Sequence, residues 1–252
     1  MIDLRLKVLE RKLEKVENVV MVGSGKGGVG KSIFSSAISY TLSKKGYDVA
    51  YVDLDFYGPA APNLFPIERP MKGGRDGLEL PTSNGVKVVS IGYLLDGPLP
   101  LKGKDKVDLL IDLLSTLNLG SLNFMILDLP PGLGDEFTFT KRLFQDRVKI
   151  VLVTLNSEMS LNVVEKLAKY VKIEKLNLLG IVVNMADLFK EYRLDQLKSR
   201  LNGEILGTIS YHSKLDYFRS IEEKLKNLPD FAREINSITE RILNLLNSTC
   251  ST

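Results

Sequence analysis

The stretch GSGKGGVGKS, residues 23–32, decides the fold of this chain of 252 residues. It holds the full pattern G-x-x-x-x-G-K-[ST] from Gly25 to Ser32, between a predicted buried strand at 18–22 and a predicted helix at 31–45. Glycines let such a loop fold around phosphate groups with its N–H groups pointing inward, and the N-terminus of the next helix adds partial positive charge. We therefore predict a phosphate-binding loop rather than a glycine-rich turn without a ligand.

Two side chains of this loop fit a triphosphate site. Lys31 is expected to reach the β- and γ-phosphates, and the Ser32 hydroxyl is expected to bind Mg²⁺. A second lysine, Lys26, follows Gly25 and is one more than a phosphate-binding loop needs. The predicted nucleotide-binding residues of the loop are Gly25, Lys26, Gly27, Gly28, Val29, Gly30, Lys31, Ser32 and Ile33.

Short apolar stretches alternate with helical ones along the rest of the chain. This alternation predicts an α/β fold: a single doubly wound, mostly parallel sheet with helices on both faces. The predicted strands cover 48–55, 86–92, 123–130, 149–155, 176–184 and 203–209, and the predicted helices cover 106–117, 160–172 and 190–201.

Both ends of the chain have the spacing of amphipathic helices. Residues 1–17 are predicted to form such a helix, lying on a domain that covers 18–252. The tail at 231–247 has balanced charges, which favours packing against the sheet over binding to a membrane surface. The apolar positions are Leu6, Leu9, Leu13 and Val16 in the first segment, and Phe231, Ile235, Ile238, Ile242 and Leu245 in the second. The Pro/Gly-rich stretch at 58–85 is predicted to be a long loop, serving a partner or substrate or forming an inert insertion.

Composition narrows the function classes. A net charge of +3 is too small to indicate nucleic-acid binding, and no stretch has the length of a membrane span or the form of a signal peptide. One cysteine and one histidine nearly exclude multi-ligand zinc sites and Ser-His-Asp catalysis. We expect a cytoplasmic protein in which the single histidine, His212, is a solvated or hydrogen-bonded loop residue.

Three aspartates stand at predicted strand ends. Asp53 and Asp55 end one strand, and Asp128 ends another. Carboxylates at this edge of a parallel sheet lie beside the loop that follows the first strand. Asp128 is therefore a candidate for holding Mg²⁺ through water. Asp53 and Asp55, two residues apart on a strand, should point the same way, so that one could orient the attacking water; alternatively, one of them only caps the following turn.

The order of several motifs resembles the Mrp/ApbC-type family of P-loop ATPases, relatives of MinD, ParA and the nitrogenase iron protein. The resemblance runs from about residue 16 to about residue 228. The motifs that carry it are GSGKGGVGKS, DLDFYGPAAP, VKVVSIG, LNFMILDLPPGLGD and LGIVVNM. The stretches YGPxxP and DLPPGxGD are more specific than the phosphate loop alone.

The resemblance implies roles for single residues. Lys26 corresponds to a lysine that reaches the partner's nucleotide across an ATP-bound homodimer, although it could also be a solvated loop lysine. Asp55 corresponds to the residue that positions the hydrolytic water, and Asp128 to the residue at the Mg²⁺ site. Asn184 corresponds to an asparagine that hydrogen-bonds the adenine, although it could also only close a turn. Ser210 stands where the family commonly has proline.

One departure concerns iron–sulfur clusters. Carriers of this family usually have a C-x-x-C pair shortly after the NM dipeptide, and two chains then hold a bridging cluster. This chain reads NMADLFKEYRLDQ there, and its one cysteine, Cys250, lies near the end. Two copies would offer only two thiolates, so cluster binding is doubtful.

The resemblance therefore implies a Mg²⁺-dependent, ATP-hydrolysing homodimeric switch that acts with a client protein in iron–sulfur protein maturation. A ParA- or MinD-like positioning ATPase is the alternative, although the modest charge gives little support for DNA and the tail gives none for a membrane. A metabolic kinase on the same loop architecture is a third interpretation, without a recognisable acceptor signature.

Overall fold

The strand that leads into the glycine loop, β1 (Val16–Ser24), lies inside an eight-stranded sheet in the computed structural model. The described residues are 3–67, 73–74, 77–93, 103–132, 134–144, 147–188, 192–201 and 203–249. The other strands are β2 (Val49–Asp53), β3 (Gly73–Gly74), β4 (Gly77–Glu79), β5 (Thr82–Ser83), β6 (Val86–Ser90), β7 (Leu117–Asn118), β8 (Leu122–Asp128), β9 (Val148–Leu155), β10 (Asn177–Asn184) and β11 (Ile205–Thr208).

Among the described residues, the helices are α1 (Leu4–Leu13), α2 (Lys31–Lys44), α3 (Ala61–Leu64), α4 (Gly103–Thr116), α5 (Asp135–Phe144), α6 (Glu158–Ile173), α7 (Leu194–Leu201), α8 (Ile221–Asn227) and α9 (Pro229–Thr249). The sheet order is β11-β10-β9-β1-β8-β2-β6-β5, parallel except for β5. A small second sheet has the order β3-β4-β7.

Alternate side chains of the central strands enter two separate hydrophobic cores. In β1, Val19 and Met21 belong to the core that contains residues of α1, α4, α5, α6 and α7. Val20 and Val22 belong to the other core, which contains residues of α2, α8 and α9. The sheet is covered on both faces, so the predicted doubly wound architecture is confirmed.

The N-terminal helix is shorter than predicted. It ends at Leu13, and Val16 is already paired with Leu122 as the first residue of β1. Leu9 and Leu13 are buried, and Arg5 bonds to carboxylates of α4, so the helix lies on the domain as expected. The prediction of helix through residue 17 was wrong because strand pairing takes over at Val16.

The stretch 58–85 is more ordered than a long loop. It contains α3 and the short strands β3, β4 and β5, while 68–72 and 75–76 lie outside the described residues. The Tyr93 hydroxyl donates to the carbonyls of Ala61 and Phe65, and Phe65 packs against Tyr51 with ring centroids 5.0 Å apart. These contacts tie the start of the stretch to the sheet.

The C-terminal helix α9 packs against α2 and β11, as its apolar face predicts. Its residues Phe231, Ile235, Ile238 and Ile242 are buried, and Leu245 is half-buried. In β11, a Cβ added to Gly207 would lie 2.6 Å from Ile238 Cγ1, so this glycine allows helix and strand to approach closely. None of the helices in the described ranges combines the length and the apolar character that a membrane span requires.

Candidate functional site

The glycine loop joins β1 to α2 at the carboxyl edge of the sheet. Gly28 and Gly30 have φ values of 75° and 85°, which favour glycine. Gly30 has a second constraint, because an added Cβ would lie 2.1 Å from Asn184 Nδ2. Gly30 therefore meets a backbone and a packing requirement at once, whereas Gly28 meets a backbone requirement.

The start of the loop is held on both sides. A Cβ at Gly25 would lie 2.5 Å from a methyl carbon of Val163, so the loop passes close to α6. The Ser24 hydroxyl donates to the carbonyl of Lys26 at 3.0 Å, and the Ser24 carbonyl accepts from Gly132 N–H at 2.8 Å. Among the described residues, none accepts a hydrogen bond from the half-buried Lys26 side chain.

Lys31 and Asp128 form a buried ion pair. Lys31 Nζ lies 2.6 Å from Asp128 Oδ1 and 3.1 Å from Ser32 Oγ. The side chains of Lys31 and Asp128 are 6% and 0% exposed, so little water screens their charges. One cation thus lies between the carboxylate and the hydroxyl that the sequence predicted as the Mg²⁺ site.

A third group at this site, Tyr51, was missed by the sequence analysis. Its hydroxyl donates to the second oxygen of Asp128 at 2.9 Å. Burial, and after it the Asp128 charge, raises the pKa of Tyr51 well above its ordinary value. Tyr51 lies on β2, next to β8 in the sheet, so only the strand pairing places the two side chains together.

Asp53 and Asp55 do not share a strand face, contrary to prediction. β2 ends at Asp53, whose carboxylate accepts from Asp55 N–H at 3.1 Å and from Ala61 N–H at 3.0 Å. Burial and the neighbouring Asp128 raise the pKa of Asp53 to about 7. Asp53 therefore caps the following turn, which was the alternative interpretation, and its bond to Asp55 N–H turns the chain off the sheet.

Asp55 follows the end of β2 and is half-buried. Its Oδ1 accepts from the N–H groups of Tyr57 and Gly58 at 3.2 and 3.1 Å. These bonds shape the turn before α3. The role predicted for Asp55 in positioning water stays a prediction.

A cleft opens on the other side of the phosphate loop. Asn184, at the end of β10, donates from Nδ2 to the carbonyl of Val29 at 2.8 Å, tying the two segments together. The cleft is lined by Gly30, Ile33, Phe34, Asn184, Met185, Ile209, Ser210, Tyr211, His212, Ser213, Leu215, Asp216 and Phe231. Its apolar walls and position beside the phosphate loop fit a nucleotide base.

Glu234 of α9 supports the wall of this cleft. It accepts from the Ser210 hydroxyl at 2.7 Å and contacts His212 Nε2 at 2.9 Å. The histidine is thus the hydrogen-bonded loop residue that was predicted. No sequence pattern points to Glu234, because its partners lie more than 20 residues away in the chain.

The segment that follows Asn184 is held by polar contacts rather than thiolates. Asn156 Nδ2 donates to the carbonyl of Tyr192 at 2.8 Å, and the Arg200 guanidinium lies 4.9 Å from the Tyr192 ring centroid. Glu158 accepts from both Tyr192 and Arg200, and these bonds, with Arg200 close by, lower its pKa to about 2. Over the described ranges no group of three or more His, Cys, Asp and Glu is arranged for a metal. Cys250 lies outside the described residues.

Comparison with known sequences gives a consistent family signal. The family described as ParA: NUBPL iron-transfer P-loop NTPase matches residues 15–227. An iron-sulfur cluster carrier protein of Saccharolobus solfataricus is 29% identical, over 98% of this chain and 89% of that one. The cytosolic Fe-S cluster assembly factor Nubp2 homolog 2 of Drosophila yakuba is 35% identical, over 69% of this chain and 70% of its own length. Against the Aquifex aeolicus iron-sulfur cluster carrier protein, 34% identical, the match spans half of that relative's length.

Solved structures agree with the sequence comparison. A nucleotide-binding protein from Archaeoglobus fulgidus, in complex with ADP, is 26% identical with a TM-score of 0.68, over 94% of this chain and 92% of that one. The cell division ATPase MinD of Pyrococcus furiosus has a TM-score of 0.69 over 90% of this chain and 99% of its own, at 18% identity. The MinD likeness shows the fold alone.

Proposed function

Because the chain belongs to the family of NUBPL-type iron-transfer P-loop NTPases, we propose that it is a Mg²⁺-dependent ATPase that acts as a dimeric switch in iron–sulfur protein maturation. The observation that carries this proposal is the buried pair of Lys31 and Asp128 beside the phosphate loop. The Lys31 ammonium, the Asp128 carboxylate and the Ser32 hydroxyl meet there, beside a loop whose glycines suit a phosphate-binding backbone.

The residues at this pair fit a magnesium ion. Asp128 Oδ1 and Ser32 Oγ both contact the Lys31 ammonium, so both oxygens already face a positive charge. Oxygen ligands of this kind are the ones Mg²⁺ prefers, and bound Mg²⁺ would neutralise charge on the phosphates. Lys31 would turn from Asp128 to the β- and γ-phosphates, while Tyr51 keeps Asp128 oriented through its second oxygen.

We assign the acceleration of ATP hydrolysis to positioning of the attacking water and neutralisation of the charge on the phosphates. Asp55 would orient the attacking water, and Lys26 would reach the nucleotide of a second copy. A dimer face at this edge is supported by exposed large apolar side chains that follow the ends of four strands. These side chains are Tyr57, Met159, Leu188, Tyr211 and Tyr217.

The iron–sulfur cluster is best treated as cargo that this chain does not hold alone. The chain has one cysteine, and the segment in which relatives of the Mrp type carry a cysteine pair is tied down here through Tyr192. A cluster of the usual kind needs four ligands, commonly thiolates, so a partner would have to supply the others. The cytosolic assembly factor of Drosophila supports a cytoplasmic place of action.

The test compares Lys31→Ala with Lys44→Ala, a change of an exposed lysine at the other end of the same helix. We expect Lys31→Ala to reduce Mg²⁺-dependent ATP hydrolysis by about 100-fold or more, since it removes a phosphate contact. Lys44→Ala should hydrolyse ATP at the wild-type rate. Wild-type protein that neither binds nor hydrolyses ATP in Mg²⁺ would refute the proposal.

The maturation role needs a separate measurement. In cells depleted of this protein, the activity of iron–sulfur enzymes should fall and return with the wild-type chain but not with Lys31→Ala. Unchanged iron–sulfur enzyme activity, together with ATP-dependent retention on duplex DNA, would favour a positioning ATPase.

A further inference from the structure

Two side-chain donors divide the oxygens of Asp128 between them. Lys31 Nζ lies 2.6 Å from Oδ1, and the Tyr51 hydroxyl donates to Oδ2 at 2.9 Å. The Asp128 side chain is 0% exposed, so bulk water does not compete for either oxygen. When Lys31 turns to the phosphates of a nucleotide, Oδ1 becomes available to a metal ion, while Oδ2 stays engaged by Tyr51.

The packing around Tyr51 fixes its hydroxyl in place. Tyr51 is fully buried on β2, which lies between β8 and β6 in the sheet. Its ring packs against Phe65 with centroids 5.0 Å apart, and the carbonyl of Phe65 accepts from the Tyr93 hydroxyl at 2.7 Å. The Tyr51 hydroxyl therefore does not follow Asp128 if that carboxylate rotates. Rotation would break the bond and leave a buried donor unpaired, which is unfavourable.

The neighbouring carboxylate is engaged in a similar way. Asp53 is paired in register with Asp128 across β2 and β8. Its Oδ1 accepts from Asp55 N–H at 3.1 Å. Its Oδ2 accepts from Ala61 N–H at 3.0 Å and from the Ser90 hydroxyl at 3.3 Å. Once the lysine of the loop has moved, only one of the four oxygens of these two carboxylates has no protein donor among the described residues.

Divalent cations differ in the oxygen ligands that they require. Mg²⁺ prefers octahedral geometry and keeps several waters beside a few carboxylate and phosphate oxygens, whereas Ca²⁺ takes about six to eight oxygens and often both oxygens of one carboxylate. One oxygen of Asp128 together with the Ser32 hydroxyl suits the smaller ion. Ca²⁺ would gain the second Asp128 oxygen only by breaking the bond from Tyr51.

From these contacts we propose that Tyr51 is a positioning residue, which restricts Asp128 to one metal-facing oxygen and thereby makes the site select Mg²⁺ over Ca²⁺. The inference rests on the proposed function, because it takes Ser32 and Asp128 as the metal site. Tyr51 acts through the carboxylate rather than on the ion itself. Without the hydroxyl, Asp128 can present both oxygens to a larger cation.

The experiment measures the concentration of Mg²⁺ or Ca²⁺ at which the full chain binds half of a fluorescent ATP analogue. Tyr51→Phe removes the hydroxyl and keeps the ring. We expect wild-type protein to need at least about tenfold more Ca²⁺ than Mg²⁺, and Tyr51→Phe to lower this ratio at least about fivefold. The affinity of the analogue itself for each ion is the same with both proteins, so it cancels in the comparison.

Tyr40→Phe is the matched control. Tyr40 is a buried tyrosine of α2, and its hydroxyl bonds to Glu222 instead of to a residue of the metal site. This variant also loses a tyrosine hydroxyl, but it should keep the wild-type ratio of Ca²⁺ to Mg²⁺. A merely structural role of Tyr51 would weaken binding with both ions equally and would leave the ratio unchanged.

Each outcome bears on a different statement. An unchanged ratio in folded Tyr51→Phe, or wild-type protein that uses both ions equally, overturns the inference. If Tyr51→Phe does not fold, Tyr51→Met is measured instead, since it also lacks a donor and adapts to the space, and an unchanged ratio again refutes the inference. Wild-type protein that does not bind the analogue with either ion refutes the proposed function, and equal binding in EDTA refutes its metal site.

Discussion

Asp53 shows how one side chain can link the site to the stability of the whole fold. It is 4% exposed, close to Asp128, and bonded to the turn that follows β2. Burial is the first cause that raises its pKa to about 7, far above the 3.8 of a free aspartate. Its ionised form is therefore unfavourable in the folded protein.

This shift predicts that the protein becomes less stable as pH rises from about 4 to about 7. In that window the folded chain holds a proton on Asp53 that the unfolded chain has lost, so the unfolding free energy falls by up to about 1.4 kcal/mol per pH unit from this group. Urea unfolding at several pH values measures the slope. Asp53→Asn, which cannot titrate, should flatten it, and an equal slope in both proteins would contradict the assignment.

At the residue scale, sequence predicts contacts that are local in the chain. The loop residues Gly25 to Ser32 form one continuous pattern, and their position between strand and helix follows from it. Asp128 was expected beside the loop because strand ends meet at one edge of a parallel sheet, and it lies 2.6 Å from Lys31 Nζ there; its role at Mg²⁺ stays a prediction. Tyr51 and Glu234 were missed because their partners lie on other elements, and no spacing rule connects them.

At the element scale, the existence of the main strands and helices follows from apolar periodicity, but their ends do not. The strand predicted to run to Asp55 stops at Asp53, because the Asp53 carboxylate accepts the N–H group of Asp55 and turns the chain away from the sheet. The strand predicted to run to residue 92 stops at Ser90, where a 3₁₀ turn begins. Such endings depend on single hydrogen bonds that the pattern of apolar residues does not encode.

The packing of α9 on β11 gives a prediction for an element. Ile238 is 1% exposed and lies against Gly207, so Ile238→Ala would leave a cavity. We expect a loss of about 2–5 kcal/mol in the unfolding free energy, measured by urea denaturation. Asn236→Ala, an exposed position on the same helix, should stay within about 0.5 kcal/mol of wild type. Equal stability of Ile238→Ala and wild type would contradict the packing.

At the scale of the whole molecule, the contacts of the described residues assign no role to Lys26, the second lysine of the loop. Lys26 lies at the same edge as the exposed apolar side chains, and no described residue accepts from it. A second copy facing this edge would supply both an apolar contact and a nucleotide for the lysine. The dimer was predicted from the sequence only through a family resemblance, because the sequence of one chain does not show where a second copy binds.

Lys26→Ala tests the dimer. ATP binding should largely survive, while hydrolysis falls by about tenfold to 10³-fold and the ATP-bound dimer weakens, because a charge supplied from the second copy is lost. Turnover assays and light scattering with ATP provide the two measurements. Lys26→Arg keeps the charge and should retain more dimer than Lys26→Ala. Turnover of Lys26→Ala at the wild-type rate would rule out a contribution in trans.

Because Glu234 and Phe231 lie on the last helix, α9 is needed to form the cleft beside the phosphate loop. A shortened chain that stops after α8 at Asn227 would keep the phosphate loop, Asp128 and Asn184. It would nevertheless lack Phe231, which lines the cleft, and Ile238, which packs over Gly207. Protein engineering on this scaffold therefore has to treat the final helix as part of the nucleotide compartment, and fusions or cuts belong beyond it.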